Sequence, residues 1–265
     1  MTPWSGKWAL VTGASAGIGA ALAEELAHGG TNLVLTARRR ERLEELAQKV
    51  ETADKIQTKI FVADLTQADA PDRIFQFTKE QGIEVELLIN NAGFGAYGEF
   101  QTVETRKLTE MVQVNCAAVV RLTRLYLPEM VARRHGDVLI VASTASFQSV
   151  PYLSTYAATK AFDLLFAEGL AEEMKPYGVR ICALCPGSTE SEFAEVAGQS
   201  HIAATRANRA TAEKVAQTGL RALAAGKSYV ISGLANYLGM LGQRLVSRRM
   251  VARVAARMFR PKESS

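Results

Sequence analysis

The chain has 265 residues, 48% of them hydrophobic and 22% charged, which excludes a disordered chain and supplies apolar mass for one sizeable core. Its formal charge of +4 is unevenly placed: seven of the 31 Lys and Arg residues, but one of the 27 Asp and Glu, fall in 244–265, leaving 24 bases against 26 acids before them. A slightly acidic body argues against nucleic acid as a partner, and three cysteines with no basic-then-apolar leader predict a reducing cytoplasm rather than secretion.

Short apolar runs predict seven strands, at 8–14, 32–38, 59–65, 85–92, 137–143, 179–185 and 229–233. Most are continuous Val, Ile and Leu rather than alternating, the pattern of strands covered on both faces. Helical stretches lie between them, beginning with "IGAALAEELAHGG", stopped by Gly29 and Gly30, and "RERLEELAQKV". This alternation predicts the α/β class: one doubly wound domain, a seven-stranded parallel sheet with helices on both faces. No linker or composition shift divides it. The body is read as residues 1–243, and 244–265 as a basic amphipathic C-terminal extension of the same domain.

In such folds ligands sit beyond the carboxyl ends of the strands, where strand order reverses. The first strand ends in "TGASAGIG", where Gly13, Gly17 and Gly19, with Ser15 and Ile18 between them, open a helix. Glycines there let backbone N–H groups approach a pyrophosphate at the positive helix end, although a glycine-rich turn without a ligand has the same composition. The second strand ends at Ala37-Arg38, with a guanidinium and no carboxylate, which favours a ribose 2′-phosphate over a free 2′-hydroxyl. Arg39 and Arg40 read as the solvated first turn of the next helix. Asp64 ends the third strand, where it could hold an adenine amino group, and Asn91 lies in "NNAG" after the fourth.

Further on, "STYAATKAFD" places Tyr156 and Lys160 one helical turn apart on one face, in otherwise small and apolar surroundings. A nearby cation would stabilise a phenolate and lower its pKa from about 10. The alternative is a packed ring and a lysine reaching for water. Cys182 and Cys185 lie in a strand-like run with no second pair, and His28, His135 and His201 show no ligand spacing, so no metal is expected.

Taken together, Thr12 to Gly19, Asp64, Asn90 to Gly93, Asn115, Ser143, Tyr156 with Lys160, and Pro186-Gly187 resemble, in order, the motifs of the short-chain dehydrogenase/reductase family. The resemblance covers residues 8 to about 190 and implies a Rossmann fold, NADP(H) as cofactor and hydride transfer between nicotinamide and a carbonyl or secondary alcohol. It implies catalytic roles for Asn115, Ser143, Tyr156 and Lys160. Tyr156 would exchange the proton, Lys160 would supply the field and hold ribose hydroxyls, Ser143 would orient the carbonyl oxygen, and Asn115 would hold a water linking the lysine to solvent. Cofactor contacts fall on Gly13, Ser15, Gly17, Ile18, Gly19, Arg38, Asp64, Asn91, Tyr156, Lys160 and Thr189. Thr189 and Ser191 stand in the expected carboxamide loop, "PGSTESEF", and Ser191 to about Asn208 is expected to form a lid.

The reading is therefore an NADP(H)-dependent oxidoreductase of small carbonyl or alcohol substrates. A 3-oxoacyl carrier-protein reductase and a non-catalytic cofactor-binding regulatory protein are the alternatives. An apolar substrate is expected because Phe94, Tyr97, Phe147, Val150, Pro151 and Tyr152 fall in loops that should border the nicotinamide. The family's habit of pairing helices across subunits implies a homodimer or tetramer. Family members often end soon after the seventh strand, whereas this chain keeps a helical rhythm from Leu234 to Phe259. There Met250, Val254 and Met258 form one stripe and Arg249, Arg253, Arg257 and Arg260 another. That stripe could pack on the body or a second subunit, or make weak peripheral contact with a membrane.

Overall fold

The computed structural model describes residues 2–199, 209–243 and 245–261. Strand β1 (Trp8–Thr12) is flanked in parallel by β2 (Asn32–Ala37) and β4 (Val85–Asn90). β3 (Thr58–Val62) lies outside β2, while β5 (Gly136–Val141), β6 (Val179–Cys185) and β7 (Tyr229–Ile231) follow β4, giving the parallel order β3-β2-β1-β4-β5-β6-β7. All seven expected strands are present, and all but β6 stop one to three residues before the apolar run does. The surplus residues, among them Gly13, Asn91 and Ser143, leave the sheet to form loops at its carboxyl edge.

Alternating residues of each strand feed two layers. Val11, Leu35 and Ile89 face helices α1 (Gly17–His28), α2 (Arg40–Asp54) and α8 (Ala212–Ala224). Leu10, Val34 and Leu88 face α3 (Ala70–Glu80), α5 (Ala118–Ala132) and α6 (Ser154–Met174). Between these two sets the chain also forms α4 (Thr105–Val112) and α7 (Phe193–Val196).

Strand order reverses between β1 and β4, and one hydroxyl joins the loops that diverge there. Thr12 Oγ1 donates to Ile89 O at 3.1 Å and accepts from the N–H groups of Asn91 at 2.9 Å and Ala92 at 3.0 Å. One donor and two lone pairs are thus all used. The Asn91 amide returns the contact, donating to Thr12 O at 2.8 Å and Gly13 O at 3.2 Å.

The helical rhythm over Leu234–Phe259 resolves into two helices, α9 (Leu234–Gln243) and α10 (Arg248–Phe259). The break falls where the Ser247 hydroxyl accepts from Met250 N at 3.3 Å and caps α10, serving an N–H of its first turn that has no partner within the helix. Arg244, Lys262 and Glu263 of the extension, and 200–208 of the expected lid, lie outside the described residues.

Thr12→Val should leave the Asn91 and Ala92 N–H groups without their acceptor. At about 1–3 kcal/mol for each unsatisfied buried group, stability should fall by about 2 kcal/mol or more. A urea unfolding midpoint within error of wild type would show that the hydroxyl does not hold the junction.

Candidate active site

The carboxyl ends of β1, β2, β4, β5 and β6 border one continuous cleft of about 930 Å³. Its first half is built on the glycine loop. Gly13 has φ +66°, outside the range of ordinary side chains, and lines the cleft with Ser15, Gly17 and Ile18. Gly19 does not line it, contrary to its expected contact role. A Cβ there would lie 2.3 Å from Gly13 O, so this glycine serves the close packing of helix against loop. The first turn of α1 carries no side-chain cap, which leaves its N–H groups available to an anion.

Arg38 is exposed at the mouth of this half, as expected. Arg39 is more than the first solvated residue of a helix. Its guanidinium donates to Ser15 Oγ at 3.2 Å and pairs with Glu192 Oε2 at 2.8 Å, so it reaches from the β2 end across to the β6 loop. Both members of that ion pair are more than 40% exposed, so it contributes little stability and an incoming anion can displace Glu192. Arg40 pairs with Glu44 on the surface, as a solvated first turn should. Asp64 lines the cleft and accepts from Thr66 N at 3.0 Å. Asn91 and Thr189 also line it, yet their donors are spent on backbone: Asn91 on the glycine loop, and Thr189 Oγ1 on Gly187 O at 3.1 Å. The cradle, the bare helix end and the two arginines fit a dinucleotide with a 2′-phosphate.

The second half centres on the start of α6. Tyr156 and Lys160 share one face there, and the Tyr156 ring lies 5.1 Å from Phe193 of α7. Ser143 ends the β5 strand run and caps the turn Thr144–Phe147, accepting from Ala145 N at 3.0 Å, while its hydroxyl is hydrogen-bonded to Tyr156. Lys160 is 5% exposed. Its ammonium donates to Val141 O at 2.8 Å and to Asp163 Oδ2 at 3.0 Å.

Asp163 is fully buried, and its Oδ1 has no partner among the described residues. It was missed in the sequence, although an acid three residues after Lys160, in an apolar helix stretch, was a readable signal. Burial raises the Asp163 pKa against the pull of Lys160. Burial also works against the Lys160 ammonium, but Asp163 and Tyr156 outweigh it and hold the lysine charged, above its ordinary range. For Tyr156 the expected lowering is overturned. Burial raises its pKa, Lys160 and Ser143 oppose that, and the Asp163 carboxylate adds to the rise. The phenol is held as a proton donor.

Asn115 does not open into the cleft. It sits fully buried in a π-helical turn, Gln113–Ala117, between α4 and α5. Its amide donates to Phe94 O and Thr159 Oγ1, both at 3.0 Å, and its oxygen accepts from Phe94 N at 3.1 Å. Those bonds anchor the loop after β4 and use both donors of the Asn115 amide. Asn115 is still next to the lysine: a Cβ on Gly93 would meet Asn115 Oδ1 at 3.1 Å and Lys160 Nζ at 3.4 Å.

The outer wall also departs from expectation. Phe94 and Val150 line the cleft, but Tyr97, Phe147, Pro151 and Tyr152 do not. Phe147 turns into the core beside Tyr229, and the Tyr97 hydroxyl donates to Phe259 O at 2.9 Å. Their place is taken by Leu153, Phe193, Val246, Met250, Val254 and Phe259, most of them from the C-terminal segment. Cys182 and Cys185 are buried core residues of β6, and burial pushes the Cys182 thiol up to about 12. No cluster of possible metal ligands occurs among the described residues.

The model of the family described as short chain dehydrogenase matches residues 7–201. A very-long-chain 3-oxoacyl-CoA reductase of Danio rerio is 38% identical over 191 residues, covering 70% of this chain and 59% of that protein. The chain thus matches about three-fifths of the length of such curated relatives. Among solved structures, a short-chain dehydrogenase from Sphingobium yanoikuyae in complex with NADPH is similar at TM-score 0.82 and 27% identity, over 98% of this chain and 97% of that one. A 7β-hydroxysteroid dehydrogenase is similar at TM-score 0.86 and 26% identity, over 96% and 98%.

Asp163→Asn keeps an acceptor for Lys160 but removes the negative charge that raises the Tyr156 pKa. The Tyr156 titration should therefore move to lower pH in the cofactor-free protein. Tyrosinate absorbance, with Tyr156→Phe in each background as the baseline, measures it. An unmoved titration would show that Asp163 does not act on the phenol, and an upward shift that it acts by keeping Lys160 charged.

Proposed function

The chain belongs to the short chain dehydrogenase family, and on that premise we propose that it is an NADP(H)-dependent oxidoreductase acting on an apolar ketone or the matching secondary alcohol. The observation that carries the reading is the Tyr156 phenol, one turn from the buried Lys160 ammonium and hydrogen-bonded to Ser143, in a cleft whose other half fits a dinucleotide. When bound, the nicotinamide supplies or accepts the hydride at carbon. Ser143 donates to the carbonyl oxygen and orients it. Tyr156 passes its proton to that oxygen as the carbon is reduced, giving the alcohol and a phenolate. Lys160, kept charged by Asp163, stabilises the phenolate; in the oxidative direction the same phenolate takes the proton back.

The two arginines at the cleft mouth support NADP(H), as does the NADPH complex of the Sphingobium neighbour. Asn115 acts in this reading as a positioning residue for the loop beside Lys160. The apolar outer wall supports a bulky, water-poor substrate, and the relatives are named for very-long-chain 3-oxoacyl and hydroxysteroid compounds. A 3-oxoacyl thioester is the second reading, favoured by the Danio rerio relative. An NADPH-oxidation screen across hydrophobic ketones, steroid carbonyls, 3-oxoacyl thioesters and small sugars separates these. Strong activity on sugars alone would reject the apolar substrate. The assembly we favour is a homo-oligomer, supported by Leu165 of α6, which is 69% exposed.

Tyr156→Phe should lower turnover by about 10²-fold or more while NADPH still binds, since only the proton donor is lost. Retention of more than about a tenth of the wild-type rate would reject the assignment of the acid. For cofactor choice, Arg38→Ala and Arg39→Ala should each narrow the NADPH preference by about tenfold to a hundredfold, the range of a charge-assisted hydrogen bond. Equal kcat/KM for NADPH and NADH in the wild type would overturn the NADP(H) reading.

A further inference from the structure

Helix α10 packs on the body through the flank beside the stripe its composition singles out, and that stripe is left half exposed along the cleft rim. Ala255 is buried and Phe259 meets Tyr97, while Met250 and Met258 remain 58% and 64% exposed. Along α9 and the turn after it, Leu234, Leu238 and Leu245 are exposed as well, Leu245 by 91%. At about 100° per residue, Arg249, Arg253 and Arg257 form a row beside the Met250–Val254–Met258 stripe rather than across from it. Both rows can therefore meet one flat surface. No acidic residue occurs between Leu234 and Pro261. None of the ion pairs among the described residues involves Arg248, Arg249, Arg253, Arg257 or Arg260.

We propose that α9 and α10 form a peripheral docking surface for an anionic lipid bilayer, with the mouth of the cleft opening onto it. Charge selects this occupant. A second copy joined through the same ridge would bring arginines and no acid to meet arginines, whereas anionic headgroups neutralise the row and the acyl region takes the apolar residues. Arginine stems can lie along that apolar surface with their heads among the phosphates. No helix among the described residues is long and apolar enough to cross a membrane, so the contact lies along the surface. Val246, Met250, Val254 and Met258 belong to the ridge and to the cleft rim at once. An apolar substrate dissolved in the bilayer would pass into the cleft without crossing water. That last step rests on the oxidoreductase reading; the docking surface does not.

The test is co-sedimentation of the full chain with vesicles of phosphatidylcholine alone, and of phosphatidylcholine with an equal amount of phosphatidylserine. We expect binding to the anionic vesicles at low salt, weakened at least about tenfold when the Debye length is cut to about 3 Å at 1 M salt. The triple variant Arg249→Gln, Arg253→Gln, Arg257→Gln should lose at least about tenfold in partitioning. Leu238→Asp with Leu245→Asp should also release the protein. Neither variant touches the catalytic groups, so turnover of a water-soluble ketone should stay at the wild-type value and certify the fold. Failure of the wild type to bind either vesicle would overturn the proposal, as would equal binding to both at all salt concentrations. Capture by an acidic protein with no vesicle binding would overturn it too. Should a variant misfold, the lipid and salt arms on the wild type still decide. Vesicle binding by a protein inactive on every ketone would sink the oxidoreductase reading and leave the docking surface standing.

Discussion

The Thr12 hydroxyl, with one hydrogen bond given and two accepted, sits where the sheet divides. The reversal of strand order between the parallel β1 and β4 drives two loops apart and opens a crevice at their base. Without a fastening there, the backbone groups freed by the reversal would need water, and the loops would have no fixed separation. Thr12 and Asn91 supply it, each holding the other's backbone. The glycine loop, the bare end of α1 and the arginines of the β2 end all take their positions from this junction. Asn91 thus governs a binding half without having a donor to spend on a ligand.

The opposite half depends on a buried cation. An ammonium at the foot of a cleft is costly to desolvate, and Lys160 is accommodated because Val141 O and the Asp163 carboxylate stand within hydrogen-bond reach. The same carboxylate works against phenolate formation at Tyr156 while its partner lysine works for it. Burial decides the balance, and the proton stays on the phenol. In a reductive direction that is the useful state, because the group is charged with a proton before the carbonyl oxygen needs it.

The C-terminal segment completes the cleft from far along the chain. Phe259 receives a hydrogen bond from Tyr97, 162 positions earlier, and Gln243 donates to Gln148 at 2.7 Å. These contacts pull α9 and α10 over the opening and turn Tyr97 away from it. Wall, rim and exposed ridge therefore belong to one element, so whatever meets the ridge is felt at the cleft.

Strand number, class and the Tyr156–Lys160 pair were legible in the sequence because they depend on local regularities: continuous apolar runs, glycine spacing and a one-turn offset. The strand pattern overran the true strand ends at Gly13, Asn91 and Ser143, since the sequence run continues where the chain has already left the sheet to build a loop. What distance in sequence conceals, only the tertiary structure decided. Arg39 reads as solvated until Ser15 and Glu192 come beside it. Asn115 gives no local sign of anchoring the loop after β4 until Phe94 and Thr159 come beside it. The sign of the Tyr156 shift also depended on the fold, because a sequence states which charges are near along a helix but not how much water the fold removes from around them. The Met250–Val254–Met258 stripe marked α10 as amphipathic, yet periodicity is blind to which side meets the body; packing of Ala255 and Phe259 settled that, and left the stripe half exposed along the cleft rim.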